Sequence, residues 1–170
     1  SKDFYKNQED TLDQIKEVLK NPQDVLKSVT SLIDENVKIK KQIEQLVKEK
    51  VAALKNNLES SFQEINGIHF VAQQVDLSMS ATKDLAMSIG ISKPNAFVFL
   101  ASVEDDMPNI HCYISKELVE KNKLNAGTVI KELVKHIDGN GGGQPFFASG
   151  KGKNVSGIKD VLEKVNDFLP

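Results

Sequence analysis

The chain has 170 residues and a mass of 18.8 kDa, enough for one ordinary domain or for a small domain with an appendage. Its 22 basic residues are all lysines, and 24 acidic residues give a net charge of −2, which excludes a strongly basic nucleic-acid binder. No apolar stretch has the length of a membrane span, and the single cysteine, Cys112, excludes an internal disulfide and indicates a reducing, cytoplasmic compartment. Because the chain opens with Ser1 rather than methionine, a processed protein or a piece of a longer one is expected.

The N-terminal residues predict a polar helix over 1–20 that carries a narrow apolar seam. Its apolar residues recur every seven positions, at Tyr5, Leu12 and Leu19. The dipeptide Asn21-Pro22 ends this helix and starts the next, since asparagine is a good N-cap and proline is tolerated at the first helical position. The second helix is expected over residues 22–65, with the first folded back along part of it as an antiparallel hairpin.

A heptad pattern runs along the second helix. Its seam positions include Val29, Leu32, Asn36, Ile39, Ile43 and Leu46. This stripe is wider and longer than the first helix can cover, which predicts a coiled-coil arm that contacts another copy or the rest of a longer protein. Asn36 has two interpretations: a register device paired with its counterpart in a dimer, or a polar residue at a wet edge.

The sequence changes character at Gly67, which divides the chain into an arm (1–66) and a globular domain (67–170). The globular domain predicts an α+β fold with a mixed β-sheet and flanking helices. Strands are expected over 68–75, 96–103 and 110–114, and helices over 79–89, 116–121, 128–137 and 155–168. The apolar run 96–103 indicates a strand covered on both faces, whereas the alternation in 110–114 indicates a half-buried strand.

The residues that usually carry catalysis do not form a recognisable set. None of the three histidines, His69, His111 and His136, has metal-ligand spacing to another histidine or to Cys112. His111 and Cys112 are adjacent on a predicted strand and therefore point to opposite faces, so they are not a base and nucleophile pair. We predict no catalytic residue, metal site or cofactor in this chain.

The segment 139–153 is the most informative one, and the sequence predicts a loop there. A triple glycine permits positive φ and lets backbone N–H groups converge on phosphate oxygens, and lysines near the start of the last helix favour an anion. The phenylalanines either stack on a base or support the loop from beneath. The candidate nucleic-acid-binding residues are Gly141, Gly142, Gly143, Gln144, Phe146, Phe147, Lys151 and Lys153. The alternative is a flexible connector with a hydrophobic plug.

The segment from His136 onward, HIDGNGGGQPFFASGKGKNVSGIKDVLEKV, resembles the DHHA1 module at the C-terminal end of alanyl-tRNA synthetases. In that family a glycine run is followed by Arg-Pro-Asp-Met-Ala-Gln-Ala-Gly-Gly and a helix. The residues kept here are Gly141, Gly142, Gly143, Pro145, Ala148 and Gly150; those that depart are Gln144, Phe146, Phe147 and Ser149. Glutamine in place of arginine lacks a bidentate fork, which implies a weaker or different contact at that position.

The resemblance covers the whole chain and implies a carrier role rather than catalysis. It implies binding to the outer corner of an alanine-accepting tRNA, and self-association through the arm as a homodimer, in support of aminoacylation and editing. ATP, magnesium and zinc are expected only in the parent ligase, and no membrane contact is expected. Two alternatives stay open: the substrate-binding portion of a DHH-type phosphodiesterase, and a module that only dimerises.

Overall fold

The computed structural model describes residues 1–170, which divide into two units, Ser1–Glu49 and Lys50–Pro170. The first unit contains α1 (Lys2–Val18) and the greater part of α2 (Val25–Ser60). The second unit begins within α2, whereas the sequence predicts a domain boundary near Gly67. None of the helices combines the length and the apolar character that a membrane crossing requires.

The turn between the two helices is built differently from the prediction. Lys20 and Asn21 have positive φ values of 60° and 53°, so the chain leaves α1 in a left-handed conformation. Asp24 precedes α2, and its Oδ1 accepts the backbone N–H of Lys27 at 2.9 Å. The prediction that Asn21 caps the second helix is therefore wrong, because the left-handed backbone of Asn21 serves to end α1.

The second helix is continuous, as its unbroken heptad predicts. It has 36 residues and a length of about 54 Å. It ends five residues before the predicted limit of 65, because β1 (Gln63–Ile65) pairs with β2 (Ile68–Gln74) across a two-residue turn. Asn66 and Gly67 have φ values of 51° and 78°, which favour a tight hairpin turn over another turn of helix.

The arm leaves its apolar stripe uncovered. No residue of α1 is buried, and Leu58, in the second unit, is the sole buried residue of α2. Leu19 and Val25, which flank the connecting turn, are half-buried. The antiparallel packing of α1 along α2 predicted from the sequence is therefore not met beyond the vicinity of the turn.

A six-stranded mixed sheet forms the centre of the second unit, in the order β1-β2-β3-β4-β6-β5. The remaining strands are β3 (Ala96–Glu104), β4 (Met107–Ile114), β5 (Asn140–Gly143) and β6 (Phe147–Lys151). The pair β2–β3 is parallel and all other pairs are antiparallel. The prediction of an α+β domain with a mixed sheet and flanking helices is confirmed.

The helices around the sheet agree with the predicted positions. They are α3 (Met79–Ile91), α4 (Lys116–Asn122), α5 (Ala126–Leu133) and α6 (Ile158–Lys164), with short 3-10 turns after α5 and on both sides of α6. The start of α5 differs from expectation. Asn125 rather than Thr128 begins α5, since its Oδ1 accepts the Thr128 N–H at 3.1 Å. Ser115 stands at the start of α4, but its buried hydroxyl makes no hydrogen bond.

The core lies on both faces of the sheet. On one face, Phe97 and Phe99 pack with side chains of α5 and α6; on the other, Val98 and Leu100 pack with α3 and the end of α2. The burial of residues 96–102 confirms the predicted two-sided coverage of that strand. The prediction of a half-buried strand at 110–114 is wrong, because α3 also covers β4 and leaves His111 with an exposed fraction of 0%.

The glycine run forms a β-hairpin rather than the predicted loop. Strand β5 pairs antiparallel with β6, with Gly141 opposite Gly150, at the outer edge of the sheet. Helix α5 lies close against this hairpin. A Cβ atom added to Gly141 would approach Ile130 Cγ2 to 2.8 Å, so the missing side chain is what lets the helix and strand approach.

Candidate nucleic-acid interface

The β5–β6 hairpin gathers the candidate residues predicted from the sequence at one edge of the sheet. Gly141, Gly142 and Gly143 lie on β5, and Lys151 ends β6. The turn between the strands holds Gln144 and Phe146, and Phe147 begins β6. Lys153 follows β6, where its backbone N–H donates to Ile137 O at 2.8 Å. None of the eight residues is buried.

The backbone of the glycine run does not curl into an anion-binding cradle. Gly141 and Gly142 lack positive φ and take part in the strand pairing with β6. As the outermost strand, β5 leaves alternate main-chain N–H and C=O groups free at the open edge of the sheet. The contact that the run can offer is therefore a strand edge, which differs from the predicted convergence of N–H groups.

One face of the hairpin is closed by α5. A Cβ added to Gly150 would meet Val134 Cγ2 at 2.8 Å and Ile130 Cγ2 at 3.2 Å, and Ala148 is buried in the same cluster. A macromolecule can therefore reach the hairpin only from its other face or from its open edge.

The two phenylalanines have different surroundings. Phe147 is half-buried, with its ring centre 6.5 Å from that of His111 and the two planes 23° apart. The Nζ of Lys83 lies 5.8 Å from the centre of the Phe147 ring. Phe146 has an exposed fraction of 51%. Phe147 therefore packs against the body of the sheet, whereas the ring of Phe146 is open to solvent.

A chain of buried polar side chains links α3 to the hairpin. Thr82 Oγ1 lies 2.9 Å from Ser102 Oγ, and Ser102 Oγ donates to Asn109 Oδ1 at 2.8 Å. His111 joins the far end, with Nε2 at 2.9 Å from Asn109 Oδ1 and Nδ1 at 2.7 Å from Ser149 Oγ. Because the Asn109 oxygen can only accept, Nε2 carries the proton, and Nδ1 accepts the hydroxyl of Ser149.

The charge state of His111 follows from these surroundings. Burial lowers its pKa to about 4, and the positive charge of Lys83 acts in the same direction. The ring is therefore neutral near pH 7, which agrees with one donating and one accepting nitrogen. Sequence reasoning missed this chain of contacts because its members come from one helix and three strands. The polar residues that interrupt two apolar strands, Ser102 and His111, are the signal in the sequence that could have found it.

The other reactive groups are not assembled into a centre. No three His, Cys, Asp or Glu side chains converge in a way that could hold a metal ion. Cys112 is buried in the cluster with Phe97, on the opposite face of the sheet from His111, as strand alternation predicts. Burial raises the pKa of the Cys112 thiol.

The lysines of the hairpin are unpaired. Lys151 and Lys153 are exposed and form no ion pair, whereas Lys116 and Lys135 pair with Glu120 and Glu132. The anion site expected at the start of the last helix is not formed in the predicted way. The Asn154 side chain already accepts the Ser156 N–H there, at 3.2 Å.

Comparison with known proteins identifies the second unit. A family model described as the DHHA1 domain matches residues 67–170. The chain belongs to the DHHA1 domain family. The resemblance that the glycine run and its flanking elements carry is confirmed.

The curated relatives of this DHHA1 domain include alanine–tRNA ligases. The chain is 70% identical to the alanine–tRNA ligase of Flavobacterium psychrophilum over 168 residues, which cover 99% of the chain and 19% of the relative. It is 41% identical to the ligase of Christiangramia forsetii over 116 residues, which cover 68% of the chain and 13% of the relative. The chain therefore matches at most about a fifth of the length of each of these ligases.

A solved structure shares the fold of the DHHA1 domain. The C-Ala domain of alanyl-tRNA synthetase from Aquifex aeolicus matches with a TM-score of 0.58 and 24% identity, covering 64% of this chain and 97% of that domain.

The arm that precedes the DHHA1 domain presents the predicted oligomerisation residues to solvent. All of Val29, Leu32, Asn36, Ile39, Ile43 and Leu46 are exposed.

Proposed function

We propose that this chain is the tRNA-binding part of an alanine–tRNA ligase. In this role it holds the outer corner of an alanine-accepting tRNA, while ATP-dependent aminoacylation and editing take place elsewhere in the parent enzyme. The observation that carries the proposal is the 70% identity to one such ligase over 99% of the chain, since it includes both the arm and the DHHA1 domain. The cytoplasm is the compartment in which such a ligase works.

The geometry of the hairpin supports a contact with RNA. Lys151 and Lys153 offer two unpaired charges to phosphates, and Phe146 offers an exposed ring to an unstacked base. Lysine acts as a point charge and lacks the planar fork of arginine, so the contact reads the RNA backbone rather than base edges.

The affinity of the isolated chain for tRNA should be modest. A chain with a net charge of −2 has few cations to spare for phosphates. Within a ligase that already holds the acceptor end of the same tRNA, a weak second contact acts at a high effective concentration and is sufficient.

The test replaces Lys151 and Lys153 together by alanine and measures binding of the 170-residue chain to an alanine-accepting tRNA transcript at several salt concentrations. The double variant should bind more weakly, and its salt dependence should fall by roughly 0.7 to 0.9 units of slope for each phosphate that is no longer neutralised. The matched control replaces Lys116 and Lys135, which are paired with glutamates, and should change neither quantity. Unchanged affinity and slope in the first variant would place the binding site elsewhere.

The phosphodiesterase alternative has a different requirement. Such an enzyme would carry its metal-binding aspartates and histidines upstream of the DHHA1 portion, where this chain has the two helices of the arm instead. The relatives described above are alanine–tRNA ligases, which favours the first proposal. The residues that precede Ser1 in the full gene product distinguish the two, since they would carry either ligase or phosphodiesterase motifs.

We further propose that the arm assists homodimerisation. Its apolar stripe is exposed over most of α2, and a second copy of the same stripe is the partner that a heptad seam fits. Sedimentation of the chain at tens of micromolar should therefore give a mass above that of the monomer. A dimer that fails to bind tRNA would instead support a module that only dimerises.

A further inference from the structure

On the side of the sheet that carries α3, the helix does not extend over β6, so this face of β6 is open. Helix α3 packs on β3 and β4, and β6 lies on the far side of β4. Strand alternation and the pairing of Ser149 with His111 place Phe147, Ser149 and Lys151 on this same face. Ser149 is partly exposed and Lys151 is exposed, so a ligand that approaches this face can contact both residues beside the helix.

Lys83 extends this surface from the helix side. It is exposed, forms no ion pair and holds its Nζ 5.8 Å from the centre of the Phe147 ring. Lys151 lies four residues further along the strand than Phe147, about 13 Å away by the rise of a β-strand. Two unpaired cations therefore stand at the two ends of a short strip, with Ser149 between them.

The hydrogen bond between Ser149 and His111 decides what Ser149 can offer a ligand. Asn109 Oδ1 accepts from Nε2 of His111 and from the Ser102 hydroxyl, so Nδ1 must accept the only proton of Ser149. Ser149 Oγ keeps its free lone pairs and can accept a further hydrogen bond. A phosphate oxygen has no proton to donate at neutral pH, whereas a ribose 2′-hydroxyl does.

We infer that Lys83, Ser149 and Lys151 form a strip that distinguishes RNA from DNA, in which the lysines contact backbone phosphates and Ser149 Oγ accepts a ribose 2′-hydroxyl. The inference rests on the proposed function and deepens it, since it names the face of the hairpin that meets the RNA and the group that is read. The opposite face of the hairpin is closed by α5, so of its two faces only the one on the α3 side is available to a ligand. The resemblance to the family does not point to the role of Ser149, because the family has glutamine at that position.

The buried polar chain acts as a positioning device for this strip. Thr82 precedes Lys83 on α3, and its hydrogen bond to Ser102 joins α3 to β3. From there the contacts continue through Asn109 and His111 to Ser149 on β6. The same chain thus fixes the helix that carries one lysine and orients the hydroxyl between the two.

The experiment compares binding of the 170-residue chain to an alanine-accepting tRNA transcript and to DNA of the same sequence. Wild type should bind the RNA roughly three- to tenfold more tightly, the effect of about one hydrogen bond. Ser149→Ala should reduce the RNA affinity to that for DNA while leaving the DNA affinity unchanged, which also shows that the variant is folded. Ser149→Thr keeps a hydroxyl and should retain the preference for RNA.

The second part of the experiment compares Lys83→Ala with Lys159→Ala as the matched control. Lys159 is also exposed and unpaired but lies on α6, on the other side of the sheet. Lys83→Ala should weaken binding to RNA and DNA by the same factor and lower the salt slope, whereas Lys159→Ala should change neither.

An unchanged ratio of RNA to DNA affinity in Ser149→Ala, or equal effects of Lys83→Ala and Lys159→Ala, would overturn the inference. If Lys151 and Lys153 still matter in that case, the proposed function stands and only the strip is wrong. Absence of any tRNA binding by the wild-type chain would reject both.

Discussion

At the scale of single residues, His111 makes the stability of the fold sensitive to pH. Its pKa is lowered from 6.5 to about 4 by burial and by Lys83. Between these two values the unfolded chain binds a proton that the folded chain does not, so the free energy of unfolding falls as the pH falls. From pH 7 to pH 5 the loss amounts to about 2 kcal/mol.

Urea denaturation of wild type and His111→Gln at pH 7 and pH 5 measures this effect. Glutamine can still accept from Ser149 and donate to Asn109 but has no charge to gain. The variant should therefore lose less stability on acidification than wild type by about the same 2 kcal/mol. Equal losses in the two proteins would show that His111 does not control the response.

The role of His111 could be read from the sequence only in part. The prediction that His111 and Cys112 point to opposite faces of the sheet follows from strand alternation and holds in the structure. Its contacts with Asn109 and Ser149 depend on the pairing of β4 with β6, and sequence reasoning placed no strand in the segment that forms β6. Because β6 was not expected, Ser149 could not be predicted as a partner of His111.

At the scale of elements, alanine substitutions in the glycine run test whether its glycines are needed for close packing against α5 or for flexibility. Gly141→Ala would place a Cβ 2.8 Å from Ile130 Cγ2 and 2.6 Å from Gly150 Cα, whereas the same change at Gly142 meets only Lys131 Cε at 3.7 Å. Gly141→Ala should lower the free energy of unfolding by about 1–3 kcal/mol through overpacking. Gly142→Ala, in the same strand, should stay within about 0.5 kcal/mol of wild type.

Urea midpoints of the two variants give the comparison directly. Equal midpoints would mean that α5 does not need the bare backbone of β5, and that the glycines serve another purpose. The strands of this hairpin were missed because glycine has the lowest strand preference of the residues involved, and tertiary packing against α5 outweighs that preference. The helices and the apolar strand β3 were predictable because their patterns of apolar residues are long and regular.

At the scale of the whole molecule, the exposed stripe of the arm determines the oligomeric state that we expect. Leu46 lies in the seam with an exposed fraction of 63% and would be buried against a second copy. Leu46→Lys places a charge in that seam and should convert the proposed dimer to a monomer in sedimentation experiments. Gln45→Lys adds the same charge one residue away, outside the seam, and should leave the mass unchanged.

A monomeric wild-type chain at tens of micromolar would contradict this expectation for the isolated piece. The continuity of α2 followed from its heptads, because a local repeat determines it, whereas the turns at its two ends moved its limits inward from the predicted 22–65. The heptads did not identify the partner of the stripe, because an apolar seam looks the same whether a neighbouring helix or another molecule covers it. The first helix, which the sequence assigns to part of that seam, leaves it open in the structure.

The burial of the single thiol has a practical consequence for measuring the opening of the folded unit. Cys112 Sγ is enclosed at the centre of the sheet, and its raised pKa keeps it protonated, so a thiol reagent can reach it only when the core opens. In native buffer a disulfide reagent such as Ellman's should react at least about a thousandfold more slowly than in denaturing urea. Rapid reaction in native buffer would show that the core opens locally. Because no other cysteine competes, the rate of colour release reports the opening of the DHHA1 core in the unmodified protein, without a label and without interference from the arm.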